Sequence, residues 1–344
     1  MEQKKPVLLL IAYRAFGDWL FTVPVLKYLF EKYDVHLECS QKVYHLAHDD
    51  PRWRGITCFK FEDMPQNTWA VEFPKRWQSI RDVLHPDKEI NLNGSMELSC
   101  IAERSQEEFF YPVGGRRVVF GSNGFYDAVF KRADIPVPNP LDTTGMYFSD
   151  EQEAWALSWR EKHAREFILI IALSGSTMQK KFPNAVEVAE RTLRMYPEAR
   201  IYMAGDEDCH ALVPTDNPRI HSMCGNRVTI KQAVHLTKYA DMVIGPETFM
   251  MVAAGMWGTP KIQLCTTSSV FQICQYQNND YSIQASIWCS PCHRAIYAPN
   301  DCESAGVEKE TPYAECTRRF PTSAIMERIE KVHNLWEANR HAAI

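Results

Sequence analysis

No apolar run in the 344-residue chain approaches the ~18 residues that a membrane-spanning helix needs. There is no excess of basic residues either. Lys and Arg number 38 against 43 Asp and Glu, a net charge of −5. A chain whose main task is gripping nucleic acid is usually basic overall, so such a role is disfavoured, though a local basic patch could still serve. Eleven cysteines are too sparse for a disulfide scaffold. Residues 1–6 lead straight into a strand-like run and no signal peptide is visible, so a reducing cytoplasm is the expected compartment. Low-complexity segments and short repeats are missing. So are G-x-G-x-x-G after the first strand, G-x-x-x-x-G-K-[ST], H-E-x-x-H and G-x-S-x-G. The composition that remains, 45% hydrophobic and 24% charged, is that of an ordinary globular protein. Its length suggests two domains at roughly 150 residues each.

The pattern is α/β. Val7-Leu8-Leu9-Leu10-Ile11-Ala12 is a continuous apolar run, as expected for a strand buried on both faces of a parallel sheet. A turn at 13–18, a helix over Trp19 to Tyr33 and a strand over 35–39 follow. Pro24 predicts a kink in that helix. Strands are expected near 56–61 and 89–92, and a helix near 95–110. Pro136, Pro138 and Pro140 suit a semi-rigid linker or an edge strand. A helix from Ser149 to about Ala164 comes next. The pattern then restarts with the strand 167–173 and the helix 185–195. Strands at 200–204, 241–244 and 261–265 alternate with helices at 229–239 and 249–257. The terminal stretch 323–339 carries Ile325, Ile329, Val332 and Trp336 at helical spacing, which predicts a packing helix.

Open parallel sheets bind ligands at the carboxyl ends of their strands. Four loops there carry small or charged residues. Gly17-Asp18 opens a helix, where Asp18 is either a cap or a carboxylate acting as general base. Ser174-Gly175-Ser176 leads to Lys180-Lys181, a turn whose amides can cradle phosphate beside a lysine; a lysine pair is also a common solvated surface feature. Asp206 and Glu207 follow Gly205. Pro246-Glu247-Thr248 precedes Phe249 at a helix start, either as caps or as groups for sugar hydroxyls or phosphate. His45-x-x-His48-Asp49 lacks the converging partners a metal site needs.

These residues carry a resemblance. The run Gly17-Asp18-Trp19-Leu20-Phe21-Thr22-Val23-Pro24-Val25-Leu26 resembles the G-D-x-L-x-T-x-P-x-L opening of the heptosyltransferase-type glycosyltransferases, family 9, which have the GT-B fold. Lys180-Lys181-Phe182-Pro183 resembles that family's K-x-[WF]-P element. The stretch from Ala240-Asp241 through Gly245-Pro246-Glu247-Thr248 to Gly258-Thr259-Pro260 is similar to A-D-x-x-I-x-x-D-[ST]-G-x-x-H-x-A-A-x-x-G-T-P. Gly225 also sits where the family has a glycine. The matches span residues 7 to about 330.

The resemblance implies two Rossmann-like αβα domains facing across a cleft. The acceptor domain would occupy 1–150 and the donor domain 151–322, with a helix at 323–344 bracing both. It implies inverting transfer of a sugar from a nucleoside diphosphate donor to an acceptor hydroxyl. Asp18 would be the base, and Lys180 would stabilise the leaving diphosphate. Gly17, Ser174, Gly175, Ser176, Lys181, Asp206, Glu207, Pro246, Glu247, Thr248 and Phe249 would line the donor site. No metal is expected for catalysis, because lysine and helix N-termini supply the positive field. The family's Asp is Glu247 here, its next glycine is Phe249, and its histidine is Val252. The family's sugar and acceptor therefore do not carry over. Two alternatives remain. One is a non-catalytic relative that binds a nucleotide sugar or glycan. The other is a transferase acting on a modified DNA base, which needs a basic groove from Lys75, Arg76, Arg81, Arg116 and Arg117.

Cys289 and Cys292 are followed by Cys302 and Cys316, with inner gaps of nine and thirteen residues. Four thiolates in so short a span can close a tetrahedral structural zinc site, with His293 as a spare ligand; the alternative is four reduced thiols.

Overall fold

The computed structural model describes residues 4–13, 15–60, 69–93, 111–121, 124–293, 302 and 313–342. The helix expected near 95–110 lies outside them. The chain divides into two compact units, residues 1–102 with 125–149 and residues 103–124 with 150–344. The helix Val113–Phe120 therefore belongs to the second unit, which a boundary at 150 does not anticipate. Its arginines explain the assignment. Arg116 donates to the Cys292 carbonyl (2.7 Å), and Arg117 to those of Trp288, Ser290 and Pro291 (2.8, 2.7 and 3.0 Å).

The first unit holds four parallel strands in the order β3-β2-β1-β4. They are β1 (Val7–Ala12), β2 (Asp34–Ser40), β3 (Gly55–Phe59) and β4 (Lys88–Asn91). Every residue of β1 is buried, as its unbroken apolar run predicts. The first helix, Phe16–Lys32, starts earlier than the sequence suggests and runs on through Pro24. The turn expected at 13–18 is correspondingly short. Tight burial of Trp19 to Leu26 holds the helix together across the proline.

The second unit holds six parallel strands in the order β10-β9-β8-β5-β6-β7. They are β5 (Phe167–Ala172), β6 (Ala199–Ala204), β7 (Ile220–Ser222), β8 (Met242–Pro246), β9 (Lys261–Cys265) and β10 (Ile283–Gln284). One face of this sheet is covered by the helix Ala185–Met195 and the terminal helix Thr322–Ala342. From the latter, Ile325, Met326, Ile329 and Val332 enter the core. Met250, Met251 and Ala254, from the helix Phe249–Trp257, help build the core on the other face.

In each sheet the strand order reverses direction beside the first strand of the unit. In the second unit that point lies between β5 and β8, and in the first between β1 and β4. Doubly wound sheets bind ligands at such places, outside the carboxyl ends of the strands.

Candidate functional site

In the second unit, the loops after β5, β6, β8 and β9 are bound to one another. The loop 174–181 folds back on itself: Ser174 and Lys181 form an antiparallel bridge, and the Lys180 amide donates to the Thr177 carbonyl (3.0 Å). Gly175 is wedged where no side chain fits. A Cβ there would stand 2.8 Å from the Lys180 Cβ and 3.2 Å from the Glu247 carbonyl oxygen. That close approach sets Lys180 beside the β8 loop. The Ser174 hydroxyl meets the Cys209 thiol at 3.1 Å, so it is tied to the loop after β6. Burial pushes that thiol pKa up to about 11.

Asp206 caps the 3-10 turn Glu207–Leu212, accepting from the Cys209 amide (3.3 Å). Glu207 is exposed and pairs with Arg227 at 3.7 Å. Beneath it lies Gly225 at φ +65, where a Cβ would fall 1.7 Å from a Glu207 carboxylate oxygen. Only glycine satisfies both the left-handed backbone and the contact. This gives a physical reason for a glycine before that polar turn.

Glu247 departs from expectation. It was expected to hold donor hydroxyls, but its side chain is buried and its carboxylate is engaged within the protein. Oε1 accepts the amides of Thr266, Thr267 and Ser268 (2.6, 2.7 and 3.2 Å), and Oε2 accepts the Thr267 hydroxyl (2.5 Å). Glu247 is thus the clasp between the loops after β8 and β9. The Thr266 hydroxyl extends the clasp to the Gln179 carbonyl of the first loop (2.8 Å). The next residue, Thr248, is the N-cap of the helix Phe249–Trp257, yet its hydroxyl caps nothing. That oxygen is buried and has no partner among the described residues. The hydroxyl of Thr177, a residue 6% exposed, is in the same condition. Two orphaned hydroxyls flank loops that already carry Lys180. Polar atoms in such a state call for a partner from outside the chain.

Of the remaining expected residues, Ser176 is exposed, Gly175, Lys180, Lys181 and Phe249 are half-buried, and Pro246 is buried. Gly17 and Asp18 lie half-buried in the first unit, within the first turn of the helix Phe16–Lys32. Asp18 is not the cap, since that position is Ala15. Sequence reasoning missed Thr177 and the run Thr266-Thr267-Ser268. A signal existed for the latter, because four hydroxyl residues follow the strand β9 at its carboxyl end.

The cysteine segment adjoins the same clasp. The His293 amide donates to the Thr267 carbonyl (2.8 Å), and the Ser290 hydroxyl to that of Thr266 (2.9 Å). Cys289 and Cys316 are buried, and Cys292 and Cys302 half-buried. Burial raises the Cys316 thiol pKa, and Cys292, Cys302 and Cys289 add to the effect. Burial also pushes His293 down to about 4. Among the described residues, the group whose ligand atoms already converge within 4.8 Å is a different one, Glu198, His333 and Glu337.

The five basic residues named for a DNA groove all have partners within the protein. Lys75 pairs with Glu72, Arg76 with the buried Glu38, and Arg81 with Glu89. Arg116 and Arg117 belong to the second unit and are spent on carbonyls. His45 and His48, both exposed, are not part of any converging ligand group among the described residues.

With both sheets and their loops in view, the fold is that of the GT-B heptosyltransferases. The chain is similar to the Escherichia coli ADP-heptose LPS heptosyltransferase II, with a TM-score of 0.62 and 12% identity over 97% of this chain and 100% of that one. It is also similar to a family 9 glycosyltransferase from Veillonella parvula (TM-score 0.59, 12% identity, 82% and 87% covered). A third likeness is to the dodecameric iron-containing heptosyltransferase TibC solved with ADP-D-beta-D-heptose (TM-score 0.58, 15% identity, 97% and 78% covered). At these identities the likeness is one of fold. No protein-family model matches the sequence, and no curated protein matches it. No helix among the described residues is long and apolar enough to cross a membrane.

Proposed function

We propose that the protein is a glycosyltransferase that moves a sugar from a nucleoside diphosphate donor to an acceptor hydroxyl, with inversion. The observation that carries this reading is the loop cluster of the second unit. Lys180, the orphaned hydroxyls of Thr177 and Thr248, and the N-terminus of the helix Phe249–Trp257 supply a cation, two neutral donors and a positive helix end to the same loops. That set suits a diphosphate. As the bond to the sugar breaks, charge gathers on the leaving diphosphate, and a fixed lysine and helix terminus stabilise it without a metal. The fold shared with chains solved with ADP-heptose supports a nucleotide sugar as donor. Phe249 and Val252 replace the small residue and the histidine of the family pattern, so the sugar need not be a heptose.

Asp18 is the proposed base. It would take the acceptor proton as that oxygen attacks the anomeric carbon. Its place in the helix that follows β1, at the reversal point of the first sheet, supports the role. The acceptor is proposed to be a glycan or other hydroxyl compound rather than DNA, given the committed arginines, and the working compartment the cytoplasm.

The four cysteines are proposed to hold a structural zinc. What supports this is that four thiols fall within twenty-eight residues of chain and that Cys289 and Cys316 are buried beside the half-buried Cys292 and Cys302. Zinc–sulfur bonds of ~2.3 Å would draw the four sulfurs together and fix the 289–316 segment. Elemental analysis finding well under one metal per chain, in protein never exposed to chelator, counts against it.

The function is tested by a thermal-shift panel of nucleoside diphosphates and nucleotide sugars. A ligand that binds only the folded state raises the melting temperature by mass action. One nucleotide should give a clear shift that Lys180→Ala weakens and Asp18→Ala leaves intact. Turnover of that donor should vanish in Asp18→Ala. No shift with any donor, or full turnover by Asp18→Ala, refutes the reading. Retained donor binding with no turnover by the parent protein favours the non-catalytic alternative.

A further inference from the structure

The terminal helix carries a second cluster, remote in sequence from the loops above. His333 and Glu337 lie one turn apart on the helix Thr322–Ala342, and so share a face. Glu198 lies in the turn just before β6. One ligand atom from each of the three stands within 4.8 Å of the other two. His333 is 3% exposed. Its ring stacks on Tyr196 at 3.9 Å and meets Phe167 edge-on at 5.1 Å. One nitrogen bonds the Glu198 carboxylate, and the other lies 3.9 Å from that of Glu337.

Two features make this more than an ion pair. The first is charge. Glu198, Glu337 and Glu330 all act electrostatically on the Tyr196 hydroxyl. Among the described residues, no Lys or Arg pairs with any of these three. The guanidinium that comes near, Arg219, is spent on the carbonyls of Leu193, Tyr196 and Pro197. A single imidazole is left to balance the carboxylates. The second is an unpaired group. Tyr196 is 8% exposed, and its hydroxyl is buried with no partner among the described residues. A buried hydroxyl without a protein partner is costly unless something not in the chain, such as an ion with its water, completes it.

We infer that Glu198, His333 and Glu337 bind a divalent transition-metal ion of the zinc type and so fasten the terminal helix to the turn before β6. One imidazole nitrogen and two carboxylate oxygens are a donor set that suits zinc, cobalt or nickel. Metal bonds of ~2.0–2.2 Å set neighbouring ligand atoms roughly 3–3.5 Å apart. Reaching that spacing needs the His333–Glu198 contact to open slightly and the Glu337 side chain, 52% exposed, to swing in. The buried ring is already fixed by stacking. Coordination positions on the solvent side would hold water. The site differs in chemistry from the cysteine set, which offers thiolates.

Cobalt(II) separates the two. Bound by thiolates it gives an intense near-ultraviolet charge-transfer band; bound by nitrogen and oxygen it gives only weak visible bands. The full chain, stripped of metal under reducing conditions, is titrated with cobalt(II) and, in parallel, melted with and without zinc. The expected result is a component of cobalt uptake that adds nothing to the thiolate band, over and above any cobalt bound by the cysteines. Glu337→Gln should weaken that component at least about tenfold, a loss that removing even an outer-sphere partner can bring. Glu337→Gln should also reduce the zinc-induced rise in melting temperature. Because Glu337 is largely exposed, that variant keeps the fold; Cys289→Ser should leave the thiolate-free component unchanged. Identical titrations of the parent and Glu337→Gln, or cobalt uptake wholly accounted for by the thiolate band, overturns the proposal.

Discussion

Replacing Glu247 by Gln isolates the role of the clasp. The carboxylate holds three backbone amides on Oε1 and one hydroxyl on Oε2. Gln is nearly isosteric. Its carbonyl keeps the three amides, and its amide can donate to the Thr267 hydroxyl. What disappears is the charge. Bonds to an ionised acceptor are about twice as strong as neutral ones, which are worth about 1 kcal/mol net. Part of the loss is returned because a neutral group is cheaper to bury, which leaves roughly 2 kcal/mol. For a unit of this size that lowers the melting temperature by roughly 4–8 °C. Glu247→Ala is harsher. It leaves four buried donors unpaired, at about 1–3 kcal/mol each, and should unfold the loops after β8 and β9. The assay is urea denaturation of ligand-free protein, with all three forms measured at one pH. If Glu247 instead served ligand hydroxyls, ligand-free stability would hardly change and only affinity would fall. Both variants within about 0.5 kcal/mol of the parent would refute the clasp.

Gly225→Ala should destabilise by about 1–2 kcal/mol from the left-handed backbone alone. Removing the Glu207 side chain as well should recover only the part due to the clash with that carboxylate, as read from denaturation midpoints of the single and double variants. A pH effect follows from His36, whose pKa burial lowers below 6.5, with Arg54 adding to the shift. The unfolded chain then takes up the proton first. His36 therefore costs no stability above pH 6.5, and it weakens the fold as pH falls below that value, with a slope of at most about 1.4 kcal/mol per pH unit. His36→Gln should flatten that slope between pH 7 and 5; an unchanged slope would remove His36 from the account.

Much of the fold was legible because buried parallel strands write themselves as unbroken apolar runs. β1, β5 and β9 fall where those runs stand. The helix Phe249–Trp257 was also legible, although it is apolar nearly all round, because it sits between two such strands. Short elements were not. The two-residue β10 and the helix Val270–Cys274 have too few residues for a period to show. The helix Trp69–Leu84 was missed because its Pro74 broke the apparent pattern. The site was legible at the level of loops and less so at the level of atoms. Lys180, Gly175 and Thr248 fall where the carboxyl-end rule places them. The duty of Glu247 was hidden, because an acid at a helix start reads the same whether it faces a ligand or three amides from another loop. The partners of Arg116 and Arg117 were hidden for a related reason: apart from the Tyr111 carbonyl, their acceptors are carbonyls more than 170 positions away, and a sequence carries no mark of such partners.

The helix Val113–Phe120 also bears on how the protein is assembled and how it can be taken apart. It is encoded inside the first unit's stretch of chain, between β4 and Phe125, yet it serves the second. Neither unit is therefore a contiguous piece of polypeptide. A nascent chain completes its second unit only after residues 288–292 have emerged, by which time all of the first has been made. Division at Ser149, the obvious cut from the gene, would leave four carbonyls at 288–292 without the arginines that bind them. Units stitched in this way are poor modules for exchange between proteins, because each exchange must carry two separate segments at once.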